Sequence, residues 1–168
     1  EKAISLAKEL RVHHMELRER VTREGVEHCR SDKVNMVLDL PAELGMLEKS
    51  FGSKLRSQVK RSQREGFEIF TGGIDILDDF YTVFSENMRD LGTPVYSKLF
   101  FKELLKTFEH NTKIIVLKLS GTPVSAAFLI GYQHQLEIPW ASTLRRYNKY
   151  SPNMLLYWTV LKYAIETG

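Results

Sequence analysis

The stretch EIPWASTLRRYNKYSPNMLLYW, from Glu137 to Trp158, decides the fold and indicates where a site would lie. It begins as an apolar strand, continues as a polar turn and ends as a segment that is apolar on nearly every side. The turn carries Arg145, Arg146, Tyr147 and Lys149. Because Ser151 is a favourable N-cap and Pro152 suits the first helical position, the pattern predicts a helix from Pro152 to about Glu166. A strand that brings a basic turn to a helix N-terminus is typical of an anion-binding site.

Length and composition indicate an ordinary globular protein. The 168 residues, 43% hydrophobic and 27% charged, suffice for one domain, or for one and a half small lobes. The single cysteine, Cys29, excludes an internal disulfide and favours a reducing compartment, so we expect a cytoplasmic location. No run approaches the ~18 apolar residues of a membrane span. Because Glu1 is not an initiator methionine, we expect the chain to be part of a longer protein.

Thiol and metal chemistry are not indicated by the sequence. Cys29 lies in the polar stretch HCRSDK, without the strand–turn context of a nucleophile. The histidines lack the spacing of metal ligands, so we predict no metal site. They are His13, His14, His28, His110 and His134.

A basic segment without acids runs from Lys49 to Arg64. Its apolar stripe steps by three and four, which predicts one amphipathic helix ending near Glu65. The stripe consists of Leu44, Leu47, Phe51, Leu55 and Val59. Arg56, Lys60 and Arg64 follow one another at intervals of four and therefore share a face. Such a face is either a solvated surface or a contact for phosphates or for an acidic partner.

The remaining pattern predicts a mixed α+β protein. Towards the N-terminus it gives a solvent-facing helix over 2–24 and a strand over 33–40 that ends at Pro41. From residue 66 onward it gives a strand over 67–70, helices over 77–91 and 97–108, and strands over 112–119, 124–132 and 135–142. With the final helix, the order is β-α-α-β-β-β-α, the element order of the N-acetyltransferase (GNAT) fold. We therefore expect a GNAT-like acyl-CoA N-acyltransferase fold, with a central, mostly antiparallel sheet flanked by helices and truncated at both ends.

Four motifs resemble the FemAB-related acyltransferases. LDLPAELGMLEKSFGSKLRSQVKRSQREGFEIFTGG is similar to the Fem-type junction between a strand and a basic helix. FYTVFSENMRDLGTPVYSKLFFKELL, GTPVSAAFLIGY and IPWASTLRRYNKYSPNMLLYW resemble the branch associated with exosortase/PEP-CTERM exopolysaccharide systems. The resemblance covers roughly residues 33–168. It implies that residues 1–65 are the C-terminal part of a first GNAT-like lobe plus a connecting basic helix, and that residues 66–168 are most of a second lobe.

The resemblance also implies an activity. Such bacterial proteins transfer an acyl or aminoacyl group to an amine, here of a cell-envelope or exopolysaccharide precursor. Fem proteins take the group from aminoacyl-tRNA and GNAT relatives take it from acyl-CoA, so both co-substrates, and tRNA as a partner, stay open. The GNAT pyrophosphate loop, Arg/Gln-x-x-Gly-x-Gly/Ala, is absent between Ser142 and Ser151, which argues against assuming acetyl-CoA. The alternative function is a non-catalytic nucleic-acid-binding or scaffold module that uses the basic helix over 49–64.

Acyl transfer to an amine needs a base, an oriented carbonyl and a group that stabilises the oxyanion. Candidate bases are Glu137, which is otherwise an outward strand residue, and Asp90. The Fem resemblance implies an arginine near the end of the helix predicted over 77–91. Arg89 occupies that place and is the candidate to hold an anionic substrate. Arg89 and Arg145 would either clamp a phosphate or carboxylate or form salt bridges with acids such as Asp90.

Further binding candidates lie in the quoted motifs. Tyr96 belongs to MRDLGTPVY, and the strand-edge amides near Ser142 are candidates for the oxyanion contact. Asn153 either contacts substrate or supports the start of the last helix. Three aromatic residues would line the cleft or belong to the core: Trp140, Tyr147 and Tyr157. The candidate phosphate- or tRNA-binding face consists of Arg56, Lys60 and Arg64.

Overall fold

The computed structural model describes residues 2–16, 34 and 36–168, and these divide into two compact units, residues 1–39 and 40–168. In the first unit, helix α1 covers Lys2–Glu9 and buries none of its side chains. Residues 10–16 are not helical, so the predicted helix over 2–24 is wrong beyond Glu9, and residues 17–24 lie outside the described part. A short helix without buried apolar surface lacks the packing energy that usually sustains helices.

The strand predicted over 33–40 is also absent from the described residues of that range, 34 and 36–40. Val34 and Met36 are 81% and 92% exposed. None of the described strands pairs with this segment. Alternating apolar residues form a strand only where another strand takes up their backbone hydrogen bonds, so the prediction is wrong for these residues.

The second unit begins with two helices, α2 over Leu44–Ser50 and α3 over Ser53–Gln63. The single helix predicted here is wrong, because the backbone of Phe51 is extended and Gly52, a weak helix former, follows it. The apolar stripe is nevertheless continuous across the break. Leu47 and Val59 are buried, and the ring of Phe51 packs edge-to-face on that of Trp158 with centroids 5.8 Å apart.

Four antiparallel strands form one sheet in the order β1-β2-β3-β4. They are β1 over Glu68–Gly72, β2 over Thr112–Leu119, β3 over Thr122–Tyr132 and β4 over Gln135–Thr143. The turn between β2 and β3 has positive φ angles at Ser120 and Gly121, as a tight hairpin turn requires. The predicted antiparallel sheet is therefore confirmed.

Helices cover both faces of this sheet, which confirms the predicted α+β class. They are α4 over Leu77–Asp90, α5 over Lys98–Thr107 and α6 over Pro152–Thr167, with 3-10 turns over Ile74–Ile76 and Arg145–Tyr150. Ser97 caps α5 as predicted, since its Oγ accepts a hydrogen bond from the Phe100 amide at 3.2 Å. The side chains of α4 and α5 pack on one face of the sheet and those of α6 on the other.

The core on the α4 face is built from aromatic rings around Phe101, which is fully buried. Its ring lies 5.1 to 5.5 Å, centroid to centroid, from five others. These belong to Phe80, Phe84, Phe100, Phe128 and Trp140. On the other face, Leu155, Leu156 and Val160 of α6 pack against aliphatic residues of the sheet.

A β-bulge in β4 sets the direction of its C-terminal half. Phe128 pairs with Trp140 and Ile130 with Glu137, so Ile138 and Pro139 together oppose one residue of β3. Proline is tolerated at a bulge because the ladder needs no donor there. The extra residue changes the alternation of the strand, and Trp140 consequently joins the core on the α4 face.

Candidate functional site

Two side-chain contacts join the second half of α4 to the segment that follows the bulge in β4. The carboxylate of Glu86 accepts hydrogen bonds from Arg146 in the 3-10 turn and forms an ion pair with it. The next residue along α4, Asn87, donates from Nδ2 to the Ser142 hydroxyl at 3.3 Å. α4 therefore holds both the end of β4 and the basic turn.

The two neighbouring arginines of the turn have different environments. The hydrogen bond to Glu86, followed by one to Tyr147, raises the pKa of the Arg146 guanidinium above its ordinary value. That guanidinium also lies 5.3 Å from the centre of the Tyr147 ring. Arg145 is exposed, and among the described residues no acid pairs with it. Arg146 is thus held in place, while Arg145 is the cation available to a ligand.

α6 begins at Pro152 as predicted, but the residue before it does not cap the helix with its side chain. Ser151 occupies the N-cap position as predicted, but its backbone is left-handed (φ 54°, ψ 43°) and its side chain makes no capping hydrogen bond. The 3-10 turn directly before it explains this, since the chain has to reverse at Ser151 to enter the helix. The amide of Met154 bonds to the Ser151 carbonyl at 3.0 Å, and Pro152 has no amide hydrogen.

Phosphate binding by backbone amides is consequently weakly supported at this helix. Within the preceding turn, the amides of Tyr147 and Ser151 bond to carbonyls of the turn itself. The turn and the start of α6 also contain none of the glycines that form a pyrophosphate-binding loop. An anionic donor would depend on the exposed side chains of Arg145 and Lys149, together with the Asn153 amide near the helix start.

An aromatic wall stands between α5 and the bulged strand. Tyr96 stacks on Phe100 with ring centroids 5.0 Å apart, and both meet Trp140 edge-on, at 5.9 and 5.8 Å. The Tyr96 carbonyl accepts a hydrogen bond from the Tyr81 hydroxyl at 3.2 Å, which ties the loop to α4. Trp140 and Tyr147 are partly buried against the core, whereas Tyr96 is about half exposed. The wall therefore combines core packing with a surface open to a ligand.

Other predicted residues lie around this centre. Arg89 and Asp90 end α4 and contact each other at 3.4 Å, with the Arg89 side chain 74% exposed. Asn153 and Tyr157, four residues apart on α6, both face solvent, so Tyr157 is not a core residue. Glu137 is exposed and lies three residues before Trp140, about 10 Å along the strand. Trp140 and Tyr147 thus both pack on the core of the α4 face and Ser142 bonds to α4, whereas Glu137 lies near the β3–β4 hairpin.

Two of the contacting residues, Glu86 and Asn87, are not among the residues that the sequence analysis selected. Asn87 could have been selected from the sequence, because it lies in the apolar stripe of its helix, three residues after the buried Phe84 and four after the buried Val83. A polar side chain in the apolar stripe of a helix needs a hydrogen-bond partner. No local pattern in the sequence marks Glu86, since its partner Arg146 is sixty positions away.

Two further observations concern the described part of the chain. No group of three or more histidine, cysteine, aspartate or glutamate side chains lies close enough together there to hold a metal ion. None of its helices has both the length and the apolar character to cross a bilayer.

Comparison with known proteins identifies the family. Residues 49–168 match the model of the acetyltransferase (GNAT) domain. The chain belongs to this family. The match covers the basic helix α3, the whole sheet and α6, and it confirms the GNAT-like fold expected from the order of elements. A comparison with curated proteins finds no match.

Two solved structures show the same fold at low sequence identity. FemX superposes with a TM-score of 0.69 and 12% identity, over 77% of this chain and 50% of that one. The C-terminal domain of an Agrobacterium fabrum protein described as a lysylphosphatidylglycerol synthetase gives a TM-score of 0.58 and 18% identity, over 74% of this chain and 42% of that one. The chain thus spans about half the length of the FemX structure.

Proposed function

We propose that this chain is part of a cytoplasmic FemAB-type N-acyltransferase that modifies an amine of a cell-envelope or exopolysaccharide precursor. The observation that carries the proposal is the GNAT acetyltransferase domain match over residues 49–168. The acyl or aminoacyl donor is acyl-CoA, the donor of GNAT domains, or aminoacyl-tRNA. The motif resemblance to the exosortase/PEP-CTERM branch supports the choice of acceptor. The two-lobe division at about residue 65 belongs to the same proposal.

In the proposed reaction, the carbonyl carbon of the donor exchanges its bond to the leaving group for a bond to the acceptor nitrogen. The acceptor nitrogen attacks the carbonyl carbon of the donor, the new C–N bond forms, and the bond to the donor's thiol sulfur or ribose oxygen breaks. The amine proton passes to a base, and the leaving group takes up a proton. Asp90, which lies four residues beyond Glu86 and about 6 Å further along α4, is one candidate base. Glu137 stays the second candidate.

The bulged end of β4 supports the remaining roles. Backbone amides between Trp140 and Ser142 are candidates for contact with the developing oxyanion. Arg145 would hold the anionic part of the donor, and Arg89 the anionic part of the acceptor. Tyr96 and Trp140 offer apolar surface for the transferred group.

Thermal shift assays with candidate donors test this proposal, because a ligand that binds only the folded state raises the melting temperature. We expect acyl-CoA or aminoacyl-tRNA to stabilise the protein, and Arg145→Ala to reduce that shift at equal donor concentration. Lys102→Ala, which removes an exposed cation from α5, is the matched control and should leave the shift unchanged. If no donor stabilises the protein, and neither Arg89→Ala nor Arg145→Ala alters transfer to an amine, the proposal is wrong.

A further inference from the structure

The face of α3 that carries Arg56, Lys60 and Arg64 has no role in the proposed transfer. We call these three residues the basic face. Each step of four residues advances about 6 Å along the helix and about 40° around it, so the three cations form one row. Arg64 continues the row because its backbone remains right-handed helical just beyond the last helical residue.

The opposite side of α3 is anchored to the domain. Val59 is buried and Ser62 is fully inaccessible to solvent. Around the helix axis, Val59 lies about 100° and Ser62 about 160° from Lys60, the middle residue of the basic face. Lys60 and Arg64 are exposed and Arg56 is partly buried. The open space of about 610 Å³ beside them is also lined by Ser53, Ser57, Arg61 and Glu65. The helix is thus anchored through Val59 and Ser62, while Lys60 and Arg64 are presented to solvent and Arg56 partly so.

Within the part of the chain that the structure describes, the charge of this row is not neutralised. The sequence from Lys49 to Arg64 contains no acid, and the adjacent Glu65 pairs with Arg61, at 3.8 Å. In residues 2–16, 34 and 36–168, no carboxylate pairs with any member of the basic face. Like charges four residues apart destabilise a helix unless an anion compensates them.

Helix α5 provides an internal comparison. It carries Lys98, Lys102 and Lys106 at the same spacing of four. Two of these lysines are paired with acids, Lys98 with Asp78 and Lys106 with Glu103. Acids therefore pair with two of the three cations on α5, whereas among the described residues no acid pairs with the basic face of α3.

We propose that the basic face binds the sugar–phosphate backbone of a single nucleic-acid strand. A straight row of cations matches a linear polyanion, and the two arginine forks suit phosphate oxygens. The exposed residues of α3 are serine, lysine, arginine and glutamine, without an aromatic ring on which a base could stack. They also include no apolar side chain to enter a bilayer, which disfavours a membrane surface. The contact is consequently one that reads charge and not base sequence.

The dependence of binding on salt measures this contact. Each phosphate neutralised on a single strand contributes about −0.7 to the slope of log K against log salt concentration. Loss of three cations should therefore make the slope shallower by about 2. The proposal does not depend on the transferase activity, because the test involves neither an acyl donor nor an amine.

Fluorescence anisotropy of labelled oligouridine and oligoadenine, titrated between 50 and about 300 mM NaCl, provides the test. We expect the protein to bind both with similar slopes, and Arg56→Gln/Lys60→Gln/Arg64→Gln to lose about 2 units of slope. Lys98→Gln/Lys102→Gln/Lys106→Gln removes the same charge at the same spacing from α5 and should keep the original slope. If both triple variants lost the same amount of slope, the effect would depend only on the net charge of the protein, and the proposal would be overturned. It is also overturned if the α3 variant keeps oligonucleotide binding but loses binding to phosphatidylglycerol vesicles.

Discussion

Glu86 of α4 and Arg146 of the 3-10 turn form an ion pair that joins two segments sixty positions apart in the sequence. The carboxylate takes hydrogen bonds from both terminal nitrogens of the guanidinium. Through this pair, the helix that ends in Arg89 and Asp90 is held against the turn that presents Arg145. Together with the buried side chains of α4 and the Asn87–Ser142 hydrogen bond, the pair sets the position of the candidate base Asp90 relative to Arg145.

We predict that Glu86→Gln weakens donor binding several-fold with little change in the urea midpoint. The guanidinium is more than half exposed, and exposed ion pairs contribute little to stability. Loss of the carboxylate would nevertheless release Arg146 and with it the turn. Donor titrations followed by thermal shift measure the effect. Glu103→Gln breaks a comparable exposed pair on α5 and should have no such effect; unchanged donor affinity in Glu86→Gln would contradict the positioning role.

We predict that removing one partner of the Asn87–Ser142 hydrogen bond costs more stability than replacing both partners by apolar residues would suggest. Ser142 is only 4% exposed, so Ser142→Ala leaves the Asn87 amide without its partner and should cost about 1 to 2 kcal/mol. Replacing both residues, as in Asn87→Leu/Ser142→Ala, should cost less than the sum of the single changes. Urea unfolding of the unchanged protein, Asn87→Leu, Ser142→Ala and the double variant measures these free energies. Strict additivity would show that the two side chains do not interact.

The elements that sequence analysis predicts correctly depend on local signals. Leu77, Phe80 and Phe84 repeat at helical spacing, and Ser97 caps α5 with its own side chain. These features involve residues within one or two helical turns, so their physics can be read from the sequence alone. The hairpin at Ser120 and Gly121 is of the same kind.

The features that sequence analysis misses depend on distant partners or on local strain. The direction of Trp140 follows from a bulge defined by pairing with β3, and Arg146 selects Glu86 only once α4 lies against the sheet. The sequence over 36–40 has the pattern of a strand, but these residues pair with none of the described strands. Ser151 follows the sequence rule for a cap, yet its left-handed backbone directs the side chain to no capping bond.

We predict that Phe101→Ala destabilises the protein by about 3 to 5 kcal/mol, because its fully buried ring touches the core of α4 and the sheet at once. Phe101→Leu, which keeps more of the volume, should cost less. Chemical denaturation of the purified variants measures both values. Phe108→Ala, whose ring is about half exposed just beyond α5, is the control and should cost much less. Similar losses for Phe101→Ala and Phe108→Ala would contradict the central place of Phe101 in the aromatic core.

The last prediction distinguishes an N-cap from a strained junction at Ser151. A capping serine loses about 1 kcal/mol on replacement by alanine and a few tenths on replacement by glycine. A serine held at φ 54° without a capping bond behaves differently, since glycine adopts the left-handed conformation freely. We therefore expect Ser151→Gly to stabilise the protein by about 0.5 kcal/mol and Ser151→Ala to change it little. Ser97→Ala, at the true cap of α5, should cost about 1 kcal/mol in the same urea experiment. A loss at Ser151→Ala as large as that at Ser97→Ala would restore the capping role and contradict the left-handed junction.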